Sequence, residues 1–119
     1  MRVGHIELPV SDPMRSMKFY TEILGFKLDT NQGNRFIWLT SGGLTILLRP
    51  GKPVAREFDA AQNICLYVAD ERKAAGELAS RGVVVERFET CHHFRDPDGH
   101  WFQLANPGDD HSQDAASGA

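Results

Sequence analysis

The sequence predicts an α+β fold in which two βαβββ modules pair and a curved mixed sheet surrounds a cavity. Two segments of helical periodicity interrupt a series of short segments in which apolar and polar residues alternate. The same order of segments occurs twice along the chain, as an internal repeat. One copy has a single helix and cannot cover both faces of its sheet, so the two copies are expected to pair.

Composition limits the class of protein before any element is placed. A chain of 119 residues fits one domain, and 41% hydrophobic with 24% charged residues is ordinary globular composition. Thirteen Lys and Arg against sixteen Asp and Glu give a net charge of -3, which argues against nucleic acid or an anionic membrane as partner. Two cysteines, no apolar leader and no apolar run of about 20 residues predict a cytoplasmic protein.

The first module is predicted over residues 1–50. A strand at 3–10 is followed by a helix at 14–24, because Asp12 can cap its first turn and Pro13 lacks a donor where none is needed. Gly25 can end the helix in the left-handed conformation. Three further strands are predicted at 26–30, 35–40 and 44–49.

The second module is predicted over residues 62–107, after a polar connector at 51–61. Asp70 is the second candidate helix cap, and Gly82 ends that helix. The predicted elements are a strand at 63–68, a helix at 71–81 and strands at 83–88, 90–95 and 100–105, with a tight turn at 96–99. The polar tail at 108–119 is expected to be disordered.

The repeat also carries a resemblance to a known family. Residues 5–12 read His-Ile-Glu-Leu-Pro-Val-Ser-Asp and align with 63–70 at an offset of 58. Met-Lys-Phe-Tyr at 17–20, Leu-Gly-Phe at 24–26 and Asp-Pro-Asp-Gly at 96–99, within 94–104, complete the pattern. Over residues 3–107 the chain resembles the vicinal oxygen chelate superfamily, which includes glyoxalase I, fosfomycin-resistance enzymes, extradiol dioxygenases and bleomycin-resistance proteins.

The resemblance implies a divalent metal (Zn, Ni, Mn or Fe) at four positions of the inner strand faces. Those positions are His5, Asn63, Gln103 and Ile46, or Leu47 if the fourth strand is shifted by one residue. Because a hydrocarbon and two neutral amides are poor ligands, this set favours a site without metal. If a metal is present, His5 and Gln103 would hold it, with Glu7 and His93 as substitute ligands.

Two residues of the first strand are the candidate catalytic groups. His5 is either a base or ligand, or a hydrogen-bonded histidine without chemistry. Glu7 shares its strand face. A carboxylate in a partly apolar cavity suits a general base or an anchor for a cationic ligand. The structural alternatives are pairing with a buried arginine, such as Arg49 or Arg95, and solvation at an open mouth of the cavity.

The remaining candidates are expected to contact a ligand. Cys65 and Cys91 are predicted to face the interior, where His93 could activate the thiol of Cys91, although a buried cysteine is more often inert. Adjacent His92 and His93 must point to opposite faces. Further predicted ligand contacts are stacking by Trp38, Tyr67 and Trp101 and hydrogen bonds from Asn63 and Gln103.

Two functions follow from this pattern. The first is a homodimeric protein of the bleomycin-resistance type that sequesters a small organic molecule without a full metal site. The second is an enzyme of the same superfamily, metal-dependent or acid–base: a lyase, an isomerase or a dioxygenase.

Overall fold

The computed structural model describes residues 1–88 and 90–109, and it divides the chain into two compact units. The first comprises Met1–Ala60 with the turn Asp96–His100, and the second comprises Ala61–Arg95 with the described residues from Trp101 onward. Each unit contains one α-helix and one four-stranded mixed sheet. The predicted α+β fold of two βαβββ modules is confirmed.

The first sheet has the strand order β1-β4-β3-β2, in which β1 and β4 are parallel and the other pairs antiparallel. Its elements are β1 Ile6–Val10, α1 Pro13–Lys18, β2 Lys27–Gln32, β3 Phe36–Ser41 and β4 Leu44–Pro50. A 3₁₀ turn, Phe58–Ala60, lies in the connector. The crossover through α1 is the usual way to make two strands parallel.

The first helix begins as predicted and ends differently. Asp12 caps it, since its Oδ1 accepts a hydrogen bond from the backbone N–H of Arg15 at 3.2 Å. The predicted helix over 14–24 changes at Phe19–Ile23 into a turn of π-helix, in which the N–H of Leu24 donates to the carbonyl of Phe19. Gly25 then ends the element with a φ of +78°.

Register assigns the side chains of the first sheet to two faces. Leu8 pairs with Leu48, and both are buried on the face that packs against α1. Glu7 pairs with Leu47, which in turn pairs with Trp38, so these three side chains lie on the opposite face. That opposite face is called the first polar face below.

The second sheet repeats this topology with the order β5-β8-β7-β6. Its elements are β5 Asn63–Tyr67, α2 Glu71–Ser80, β6 Val85–Phe88, β7 Cys91–Arg95 and β8 Trp101–Ala105, followed by a 3₁₀ turn at Pro107–Asp109. Asp70 caps α2 by accepting from the N–H of Lys73 at 3.1 Å. The rest of the predicted disordered tail, 110–119, lies outside the described residues.

The faces of the second sheet follow from the pairing of β7 and β8. Phe94 pairs with Phe102 on the helix side, where both rings are fully buried and stack at 5.2 Å. His93 pairs with Gln103 on the other side, and Cys65 pairs with the same Gln103. This side is called the second polar face. In the part of the chain that the structure describes, no helix is long and apolar enough to span a membrane.

Candidate functional site

The first polar face contains a chain of three ionisable side chains. Nε2 of His5 donates a hydrogen bond to Oε2 of Glu7 at 2.8 Å, and Nε of Arg49 lies 3.3 Å from Oε1. Both carboxylate oxygens therefore have a partner. Glu7 pairs with Arg49, as one structural alternative predicted, but neither side chain is buried: they are 47% and 44% exposed. The other named partner, Arg95, pairs with Glu86 instead.

One aromatic and one aliphatic side chain lie beside this half-exposed ionic chain. The ring of Trp38 lies 5.0 Å from the ring of His5 in an edge-on arrangement, and its indole N–H donates to Gln32 at 2.8 Å. Leu47 is buried directly beside Glu7. The cluster thus combines a few fixed polar groups with an aromatic and an aliphatic wall, which is the usual composition of a small-molecule site.

Register resolves the alternative for the fourth strand. Ile46 pairs with Ile6 and is buried on the helix side, whereas Leu47 pairs with Glu7 on the first polar face. The residue beside His5 and Glu7 is therefore Leu47, a hydrocarbon. Among residues 1–88 and 90–109, no group of three or more His, Cys, Asp and Glu side chains is arranged to hold a metal ion.

The second polar face carries a hydrogen-bonded row of side chains. Nδ2 of Asn63 donates to Oε1 of Gln103 at 2.9 Å, and Nε2 of Gln103 donates to Sγ of Cys91 at 3.2 Å. Both ends of the Gln103 amide are thus engaged. Cys65 lies exposed on the same face.

The aromatic candidates of this face differ in accessibility. Trp101 is only 4% exposed, with Arg95 4.9 Å above its ring and Phe88 against its edge. His93 is also buried, and its Nδ1 donates to the carbonyl of Cys91 at 3.2 Å. Tyr67, at 53% exposed, is the accessible aromatic side chain predicted for ligand contact on this face.

His92 and His93 point to opposite faces, as predicted. On the helix side, the backbone N–H of His92 and its Nδ1 both lie within 2.9 Å of Oε1 of Glu71. Burial alone would raise the pKa of Glu71. The hydrogen bonds from His92, together with the charges of His92 and Arg87, outweigh burial and lower that pKa. This pair ties α2 to β7.

The turn between β7 and β8 contains a buried carboxylate that sequence reasoning missed. Tyr20 donates its hydroxyl to Oδ2 of Asp96 at 2.6 Å, while Oδ1 accepts from the backbone N–H groups of Asp98 and His100. Burial raises the pKa of Asp96 despite these bonds, and burial together with the Asp96 charge raises the pKa of Tyr20. The signal was available, because a buried tyrosine hydroxyl needs a partner and the turn offers carboxylates.

The same turn also contacts the first strand. His100 is half-buried, and its Nε2 donates to the carbonyl of Pro9 at 2.7 Å. Asp98 accepts from the hydroxyl of Ser11 at 2.6 Å and lies 3.4 Å from Arg15. The Asp-Pro-Asp-Gly segment therefore has a structural role.

Comparison with known proteins places this arrangement in context. A sequence model of the Glyoxalase/Bleomycin resistance protein/Dioxygenase superfamily matches residues 2–104. No curated protein matches the chain.

Several solved structures share the fold at low identity. The fosfomycin resistance protein FosX from Listeria monocytogenes, complexed with Mn(II) and sulfate, matches with a TM-score of 0.76 and 19% identity, covering 88% of this chain and 89% of its own. The antibiotic binding protein TnmS3 from Streptomyces sp. CB03234 matches with a TM-score of 0.69 and 24% identity, covering 90% of this chain and 98% of its own. Lactoylglutathione lyase from Agrobacterium tumefaciens matches with a TM-score of 0.70 and 14% identity, covering 89% of this chain and 93% of its own.

Proposed function

We propose, since this chain belongs to the Glyoxalase/Bleomycin resistance protein/Dioxygenase superfamily, that it binds a small organic molecule on its first polar face without a full metal site. The observation that carries this proposal is the Glu7 carboxylate held between His5 and Arg49, beside Trp38. Fixed polar groups orient a ligand, and the adjoining indole supplies apolar contact area.

The side chains present do not fit the metal that the family implies. Both oxygens of Glu7 are engaged, and the position beside it is Leu47, which has no donor atom. Gln103 offers a neutral amide whose two ends already have partners. A divalent cation prefers imidazole, carboxylate or thiolate ligands, and it would have to displace the Arg49 ion pair to use Glu7.

A thermal-shift screen in buffer containing a chelator tests this proposal. Antibiotics head the panel, because a solved protein of this fold is an antibiotic binding protein. At least one compound class is expected to raise the melting temperature and to shift the indole N–H resonance of Trp38 in the ¹⁵N spectrum. If no class does so, or if binding requires an added divalent metal, the proposal is wrong.

The hydrogen bond between His5 and Glu7 favours a second function, acid–base catalysis. By accepting a hydrogen bond from Nε2–H, Glu7 would fix the tautomer of His5 and leave the lone pair on Nδ1 to accept a proton from a substrate. His5 would be the base and Glu7 its positioning residue.

Turnover measurements separate the two functions. Dicarbonyls, thiol conjugates and catechols are offered to the wild type, to Glu7→Gln and to a control, Glu22→Gln, whose side chain is exposed in the first unit. An enzyme loses turnover in Glu7→Gln while the control keeps it. A binding protein shows no turnover in any of the three.

The proposal also takes the protein as a cytoplasmic homodimer, as many superfamily members complete their sites with modules of two chains. Light scattering on the purified protein tests this assembly, and a monomer at working concentration contradicts it. The pairing of the two modules around a shared cavity stays a prediction.

A further inference from the structure

We infer that the ligand of the first polar face carries an anionic group, and that Arg49 is the residue that binds it. This inference rests on the proposed function, since it names the ligand class of that same site. It replaces the expectation that Glu7 anchors a cation, because the contacts of the cluster leave unused donors rather than an unused carboxylate.

Glu7 is 47% exposed, and the charge of the neighbouring Arg49 disfavours a cationic ligand at its carboxylate. One oxygen accepts the Nε2 proton of His5 at 2.8 Å, and the other lies 3.3 Å from Nε of Arg49. A cation arriving at this carboxylate would meet the guanidinium charge within the same few ångströms. Like charges at that distance repel, so the approach is unfavourable.

Arg49 is the member of the cluster with spare capacity. Its guanidinium contacts Glu7 through Nε, and for its two terminal Nη groups we find no hydrogen-bond or ion-pair partner among residues 1–88 and 90–109. The side chain is 44% exposed, so water solvates these groups and a ligand can displace it. A planar fork of N–H donors binds a carboxylate or phosphonate through two parallel hydrogen bonds.

His5 and Trp38 define the rest of the ligand. Nδ1 of His5 likewise has no partner in the described part of the chain, and in the tautomer set by Glu7 it is an acceptor. The edge-on Trp38 ring beside it supplies an apolar wall. The ligand class is therefore a small acid with an apolar body, and Nδ1 of His5 is a further acceptor beside it.

Three molecules of nearly the same shape and different charge test the inference: benzoate, benzamide and benzamidine, with phenylphosphonate as a second anion. Binding is measured by isothermal titration calorimetry and by the Nε–H resonance of Arg49. The variants are Arg49→Gln, which removes the cationic fork, and Arg72→Gln, an exposed arginine on α2 as the control. Glu7→Gln is included because the rival assignment, a cation anchored by Glu7, predicts the opposite response.

The expected result is that the anions bind about tenfold more tightly than benzamide, while benzamidine binds least. Arg49→Gln should abolish the preference and Arg72→Gln should preserve it, and Glu7→Gln should keep or strengthen benzoate binding. Benzamide or benzamidine binding as tightly as benzoate would overturn the anionic assignment but leave a small-molecule site. If none of the four binds, the inference and the proposed function both fail for this ligand class.

Discussion

Replacing Tyr20 by Phe tests the most deeply buried polar contact of the first unit. The Tyr20 hydroxyl donates to Oδ2 of Asp96 at 2.6 Å, and the two residues are 0% and 5% exposed. The change removes one oxygen and leaves the aromatic ring in place. Its effect therefore reports on the hydrogen bond rather than on packing.

The expected loss follows from what the carboxylate keeps. Its other oxygen retains the N–H groups of Asp98 and His100, so the group is not left without partners. A hydrogen bond to a charged acceptor contributes about 1.5–3 kcal/mol, and we expect Tyr20→Phe to lower the free energy of unfolding by about that amount at neutral pH.

The loss should also depend on pH. Because burial raises the pKa of Asp96 above its ordinary 3.8, the protonated form favours the folded state below that value, and this contribution is lost as pH rises through the folded-state pKa. The Tyr20 hydroxyl opposes the rise by stabilising the carboxylate. Without the hydroxyl the pKa rises further, so the difference between variant and wild type should grow from acid toward neutral pH.

Urea unfolding from about pH 4 upward measures both effects, since the midpoint and slope give the free energy at each pH. The wild-type protein, measured at the same pH values, is the control. The reasoning is refuted if Tyr20→Phe is as stable as its control, or if its deficit is the same at every pH.

Three further predictions concern the second helix and the hairpin turn. His92→Phe removes the ring donor to Glu71 and should cost about 1 kcal/mol at neutral pH in urea unfolding. Because the pKa of Glu71 is lowered in the folded state, this group stabilises the fold above pH 4.5, and the contribution is lost as pH falls through the folded-state pKa. The stability of His92→Phe should therefore fall less than that of the wild type on acidification. Equal losses of stability in acid would contradict this prediction. Gly99→Ala should lower stability by about 1–3 kcal/mol, because φ is +90° and the new methyl would lie 2.7 Å from Cβ of Ala55. Gly76→Ala, in open space on α2, should raise stability by about 0.5–1 kcal/mol. Equal melting temperatures for the two alanine variants would be incompatible with this account.

Local chemistry made most of the fold predictable. Asp12 and Asp70 cap their helices because the residue type and the following pattern suffice to specify a cap. The π-helical end of the first helix was not predictable, because the spacing of apolar residues does not distinguish a π-helical turn from an α-helical turn that is one residue shorter. The first strand begins at Ile6 rather than at residue 3, because the alternating pattern starts before the first residue that pairs with β4.

The sequence predicted which residues belong to the candidate site, but not all of the contacts between them. His5 directly precedes β1 and Glu7 lies two residues later, so their shared face follows from the alternation of an extended backbone. The Arg49 contact depends on the parallel register of β1 and β4, which also decides between Ile46 and Leu47. The Tyr20–Asp96 bond joins positions 76 residues apart, and only the folded chain brings them together.

We propose that the His5–Glu7–Arg49 cluster binds an organic ligand without a metal. Elemental mass spectrometry of protein purified without a histidine tag and dialysed without chelator tests it most directly. The wild-type protein is expected to contain no stoichiometric divalent metal. One Zn, Ni, Mn or Fe ion per chain that disappears in His5→Ala would contradict it.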